Sequence, residues 1–173
     1  QQVSSAASDV YKRQDLQHGL TDYSIAVPMM QAMSASDATM LCRVPWLEAG
    51  IIMKLLDAGA MGIICPMINS RKEAEEFVGA THYAPLGYRS SGPVRAGLIY
   101  PDYHNQANDQ IISLAMIETE EAVANAEEIC ATPGLTGIYV GPSDLAISMG
   151  EGPGLDRKPC LLYTSPSPRD TRE

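Results

Sequence analysis

Residues 113–145 read SLAMIETEEAVANAEEICATPGLTGIYVGPSDL, and this stretch decides the fold. Residues 113–117 are a short apolar run that stops on Glu118. From Glu120 to Cys130, Val123, Ala126 and Ile129 recur at helical spacing with carboxylates on the opposite face, which predicts an amphipathic helix. Thr132-Pro133-Gly134 breaks it. Gly137–Val140 is a second apolar run, closed by Gly141-Pro142-Ser143 and then Asp144. Two strands joined through one helix form a βαβ unit, which requires parallel strands. Glu118 and Asp144 therefore stand at the same, C-terminal edge of one sheet. In β/α barrels that edge carries the active site. Two carboxylates there are hard oxygen donors suited to a divalent cation.

The same alternation extends toward the N-terminus. Tyr23–Met33 reads as a helix with Pro28 early in it or at a kink. Thr39–Arg43 reads as a strand that ends on Arg43. Residues 48–58 form a helix with Ile51, Ile52, Leu55 and Leu56 inward, stopped by Gly59. Residues 62–68 read as a buried strand, and Ser70 with Glu73 makes a capping box for a helix over 71–80. Residues 81–100 are expected to be a structureless loop rich in Gly, Arg and Tyr; a connection of that length is usually functional or a contact surface. A short helix is expected within 101–110. Strand and helix in alternation predict a parallel α/β sheet, either a barrel or a doubly wound layer. No glycine-rich phosphate loop follows any strand, which weakens the nucleotide-binding version.

The 173 residues fit one domain with enough apolar residues for a core. A net charge of −9 argues against nucleic-acid or anionic-membrane partners, which call for a basic face. No apolar run approaches a membrane span, and no secretory leader is visible. Cys42, Cys65, Cys130 and Cys160 show no C-x-x-C pairing and no disulfide-like rhythm. They read as reduced thiols of a cytoplasmic protein, the first three in apolar surroundings.

Both ends differ from the interior. Residues 1–14 and 160–173 resemble translated transposase sequencing adapters, a likeness carried by VSSAASDVYKRQ and CLLYTSPSPRD. Native disordered tails are the alternative reading. Both ends are set aside as a non-native leader and tail, so the domain is expected over 15–159, with no strand before Asp15. With them aside, eight basic residues face eighteen acidic ones, and the inference from charge stands.

Asp15, His18, Arg43, Glu118 and Asp144 all fall at strand ends. Singly, each has an ordinary explanation: Asp144 could cap a helix through 145–149, and an arginine is commonly half of a surface ion pair. Their recurrence at successive strand ends favours one shared site. His82 and His104 read as structural. Outside the two ends the lysines are Lys54, Lys72 and Lys158, none at a strand end, which disfavours imine chemistry. Without a Cys/His cluster, magnesium, manganese or cobalt is preferred to zinc.

The segments DLQHGLTDY (15–23), RVPW (43–46), KLLDAGAMGIICPM (54–67), YAPLGYR (83–89), MIET (116–119) and YVGPSDL (139–145) closely resemble the HpcH/HpaI aldolase/citrate lyase family. The likeness runs from Asp15 to about Gly150. It implies a partial (β/α)8 TIM barrel, from the end of strand two through strand six. It also implies a metal-dependent pyruvate aldolase acting on a small 2-oxo acid, and a homo-oligomer, commonly a hexamer. Under this resemblance Glu118 and Asp144 are the metal ligands. Arg43 holds the pyruvyl oxygen, and His18 is the base acting with Asp15. Asp57 matches an acidic position near the site, although it could equally be a helix-end residue. Gly141, Pro142 and Ser143 match a turn whose amides receive the pyruvate carboxylate. Met116 stands where several relatives have glutamine. A citryl- or malyl-CoA lyase is the nearest rival, with Arg89 and Arg95 as phosphate-binding candidates. A non-catalytic binding barrel is a further one, and a truncated chain is expected to be inactive and poorly soluble.

Overall fold

The computed structural model describes residues 11–152. Residues 1–10 and 153–173, which include Lys158, Cys160 and the whole tail, lie outside the described residues. Five strands pair in parallel in the order β1-β2-β3-β4-β5: β1 is Tyr11–Asp15, β2 Thr39–Arg43, β3 Gly62–Cys65, β4 Ile112–Ile117 and β5 Gly137–Val140. The helices between them are α1 (Tyr23–Met33), α2 (Ala49–Asp57), α3 (Arg71–Thr81), α4 (Ala96–Ile99), α5 (Tyr103–Gln110), α6 (Glu120–Ala124) and α7 (Ala126–Cys130), with α8 (Pro142–Ser148) last. Each strand lies beside its predecessor, with no reversal of order. Right-handed crossovers in that sequence put every helix on one face and curl the sheet into an arc of a β/α barrel. A doubly wound layer would have reversed order at a switch point.

The sheet register gives each face its role. Met40, Cys42, Ile63, Cys65, Ala115 and Ile117 point outward into the main core, against Met30, Ile52, Leu55, Leu56 and Phe77 of the helices. Each fully buried side chain of this kind contributes about 1.5–3 kcal/mol. The alternate residues share the concave face through their cross-strand partners: Asp15 with Arg43, Arg43 with Ile64, and Met116 with Tyr139.

The strand expected to be missing before Asp15 is present. Tyr11–Gln14, set aside with the leader, forms β1 with Asp15 in unbroken parallel register on β2. Ladder hydrogen bonds come from the backbone, so composition gave no warning of it. β3 stops at Cys65, earlier than the apolar run predicts, because Pro66 follows and Met67 adopts φ 55°. The helix expected over 120–130 is divided at Asn125 into α6 and α7. Pro28 sits within α1, whose start is capped by Asp22. Cys42 and Cys65 are buried free thiols, and burial pushes the Cys42 thiol up to about 12. Cys130 is exposed, contrary to the expected apolar setting. No helix among the described residues is long and apolar enough to cross a membrane.

The connection over 81–100 is ordered by its own contacts, and α4 forms within it. Tyr88 N donates to Gly79 O and Arg89 N to His82 O, at 2.8 and 2.9 Å. A side chain at Gly87 would overlap the carbonyl oxygens of both Gly79 and His82, so glycine is required at this close approach. The anchor is Arg89, a buried guanidinium that gives Asp57 a 2.7 Å ion pair and Tyr103 a 3.0 Å hydrogen bond. It lies over the Tyr83 and Tyr103 rings, 4.5 and 5.5 Å from their centroids. Arg95 is also engaged, with Ala58 O at 2.6 Å and Ser34 Oγ at 2.7 Å. Removing one partner of a buried pair leaves the other charge uncompensated. Asp57→Ala is therefore expected to lower the unfolding free energy by about 3 kcal/mol in a urea titration. Arg71→Ala, which breaks only the exposed pair with Glu75, should cost under about 1 kcal/mol.

Candidate active site

The C-terminal edge of the sheet carries Asp15, Arg43 and Glu118 at three strand ends, His18 on a loop and Asp144 in the first turn of a helix. Glu118 directly follows β4 on the concave face and is 2% exposed. Its Oε1 accepts the Met67 amide at 2.8 Å. The opposite side of the carboxylate faces Gly141, where any side chain would overlap Oε2. Burial pushes the Glu118 carboxyl above its ordinary range. The Met67 amide pulls it back, the Asp144 charge pushes it further up, and Arg43 and His18 draw it down.

Asp144 is not a helix cap. α8 starts earlier than the alternative reading assumed, with Pro142 in its first position and Gly141 at the N-cap, so Asp144 lies in the first turn. A negative charge is favourable there. The turn Gly141-Pro142-Ser143 leads into α8. Gly141 N donates to Ile117 O at 3.0 Å and proline has no amide hydrogen, so Ser143 carries the donor among the three.

Arg43 and Asp15 are in-register partners on β2 and β1. Arg43 Nε donates to Asp15 Oδ1 at 2.9 Å and Nη2 to Asp15 Oδ2, a two-pronged pair. Asp15 Oδ1 also accepts the amides of Gln17 at 3.0 Å and His18 at 3.4 Å. Burial works against the charged form of Asp15, but the Arg43 hydrogen bond, the two amides and the guanidinium charge outweigh it and hold the carboxyl at about 2. Such an acid stays ionised and is a poor proton acceptor near neutral pH. It instead fixes Arg43 and the start of the loop bearing His18, whose side chain remains exposed on the rim.

Asp57 is not brought to this edge within the chain. α2 runs back from the C-terminal edge, so its last residue lies at the opposite end of the sheet, paired with Arg89. Sequence reasoning missed the Met67 amide, because a backbone donor leaves no residue-type signal. Asn69 and Tyr139 were missed as well. Tyr139 shares the concave face with Met116, and its hydroxyl accepts from Arg13 at 2.8 Å.

Glu118, which follows β4, and Asp144, in the first turn of α8 after β5, are hard oxygen donors at one edge of the sheet, the residue types that could hold a small divalent cation. Among the described residues no cluster of three or more His, Cys, Asp or Glu could supply a fuller cage. Magnesium-type sites commonly use one or two carboxylates and take the rest of their shell from solvent and substrate.

The folded-state carboxyl of Asp15 lies below its unfolded value of 3.8, so its stabilising contribution is complete above about pH 4 and fades as pH falls toward 2. Acid titration of unfolding free energy should therefore be shallower in Asp15→Asn than in the parent over that window.

A sequence profile of the HpcH/HpaI aldolase/citrate lyase family matches residues 14–157. A hydroxypyruvate/pyruvate aldolase of Rhizorhabdus wittichii is 45% identical over 143 residues, covering 82% of this chain and 57% of that one. A 5-keto-4-deoxy-D-glucarate aldolase of Escherichia coli is 39% identical, covering 79% of this chain and 54% of its own length. The crystal structure of an HpcH/HpaI aldolase/citrate lyase family protein from Burkholderia cenocepacia superposes with a TM-score of 0.82 at 28% identity, over 91% of this chain and 65% of that one. This chain thus spans a little over half the length of the curated relatives it matches. The profile match, the shared arc of barrel and the identity to these aldolases establish that the chain belongs to the HpcH/HpaI aldolase/citrate lyase family.

Proposed function

We propose that this chain carries most of the catalytic rim of a divalent-metal-dependent pyruvate aldolase. It would cleave a 4-hydroxy-2-oxo acid into pyruvate and an aldehyde. The observation behind this reading is that Glu118, Asp144, Arg43 and His18 lie at or just past the C-terminal ends of β4, β5, β2 and β1 in one parallel sheet. Glu118 and Asp144 would hold a divalent cation (magnesium, manganese or cobalt), which when bound would supply Lewis-acid polarisation of the substrate's keto oxygen.

The remaining work falls to the chain itself. Arg43, held by Asp15, aims its guanidinium at the oxygen that becomes negative as the C3–C4 bond breaks. Because Asp15 fixes it beforehand, little reorganisation accompanies the reaction. The Ser143 amide at the start of α8 receives the substrate carboxylate. His18 takes the proton from the C4 hydroxyl. The O–H electrons form the aldehyde carbonyl, and the C3–C4 electrons pass into the enolate. Protonation at C3 then yields pyruvate.

The acyl-CoA alternative is less well supported, since Arg89 is buried against Asp57 and Arg95 is engaged with Ala58 and Ser34. A homo-oligomer is supported by apolar side chains exposed on the 81–100 connection, with Val94 81% and Leu98 86% exposed. A cytoplasmic location is supported by the two buried, unpaired thiols.

In a protein carrying the complete barrel, His18→Ala should slow retro-aldol cleavage about 10²–10⁴-fold, read as pyruvate release. Glu118→Ala combined with Asp144→Ala should remove activation by added metal. Unchanged pyruvate release by Asp144→Ala would refute the assignment. Metal-dependent deuterium exchange into pyruvate separates an aldolase from a non-catalytic barrel.

A further inference from the structure

Met67 has φ 55°, a left-handed conformation that a bulky residue adopts only when its surroundings impose it. The consequence of that conformation is specific: its amide points at Glu118 Oε1, 2.8 Å away. The neighbouring residue that could impose it is Asn69. Asn69 Nδ2 donates to Met67 O at 3.2 Å, closing the turn around the strained residue. Asn69 Oδ1 accepts from Thr119 Oγ1, the side chain directly after Glu118. The Asn69 backbone is pinned as well, its amide to Glu73 Oε2 at 2.8 Å and its carbonyl to Asn125 Nδ2 at 2.8 Å. Asn125 is the residue that divides α6 from α7. One carboxamide thus ties the loop after β3 to the end of β4.

We propose that Asn69 is a positioning residue that keeps Met67 left-handed, so that the Met67 amide stays on Glu118 Oε1 and holds this carboxylate in place as a metal ligand. The inference rests on the metal-dependent reading above. Groups behind a metal ligand commonly alter metal affinity 10–100-fold. Loss of Asn69 should let Met67 relax, free Glu118 to rotate and weaken cation binding. Glycine at position 67 adopts positive φ without assistance, so it should make Asn69 dispensable.

The test is Mn²⁺ binding measured by electron paramagnetic resonance on a protein carrying the complete barrel, without substrate. Asn69→Ala should weaken binding about tenfold or more, with kcat at saturating metal changed far less. Met67→Gly should bind within a few-fold of the parent, and Met67→Gly with Asn69→Ala should return to that level. In the metal-free protein, the Met67 amide should lose hydrogen-exchange protection in Asn69→Ala. If the alanine variant lacks a cooperative melt, Asn69→Leu, which fills the space, is read in its place. Unchanged Mn²⁺ affinity in the Asn69 variant, or failure of glycine to restore it, would overturn the proposal while leaving the metal site standing. A parent that binds no Mn²⁺, or a Glu118→Gln variant that binds as the parent does, would remove the metal reading and this proposal with it.

Discussion

Burying one carboxylate at the end of a central strand is the constraint around which this edge of the barrel is arranged. Glu118 is almost fully removed from solvent, yet an acid in that position favours its neutral form unless donors or a cation compensate it. Within the chain, the compensation is partial: one amide from a left-handed Met67, and the more distant positive charge of Arg43. Asp144 adds a second negative charge to the same space. The arrangement is costly for folding alone and sensible for a site that takes up a cation. Local features that break simple rules, such as positive φ at Met67 and the bare Gly141 against Oε2, gather here.

At the other end of the sheet the electrostatics are closed. Arg89 is enclosed by two tyrosine rings and neutralised by Asp57, and it holds a long connection onto α2 and α5. The two arginines most relevant to function therefore differ in kind. Arg43 is held by an ionised Asp15 at the edge where Glu118 and Asp144 lie, whereas Arg89 is consumed by packing. Sequence spacing alone treats both as strand-proximal or loop arginines, and only the register separates them.

Much of the architecture was legible because it is written in periodicity and punctuation. α1, β2 and β5 lie where the apolar runs put them, and Ser70 with Glu73 marked the start of α3 through side-chain chemistry. The failures have physical causes. β1 uses backbone pairing in a segment of charged and polar residues, so no apolar pattern announces it. At the break, Asn125 donates its side-chain amide to Asn69 O, a tertiary contact that no local window contains. The positions of Glu118, Asp144, Arg43 and His18 at the C-terminal edge of the sheet were readable from the strand–helix alternation. The supports of Glu118 were not, because one is an amide and the other an asparagine whose partners lie 50 and more residues away. Asp57 was assigned to the site by resemblance, and the direction of α2 carries it to the far end of this chain's sheet.

The central claim is that Glu118 and Asp144 share one cation opposite Arg43. The most direct measurement is anomalous scattering from Mn²⁺-soaked crystals of a protein carrying the complete barrel. The account predicts a single strong peak between the two carboxylates. A peak elsewhere, or carboxylates turned away from any bound ion, would contradict it.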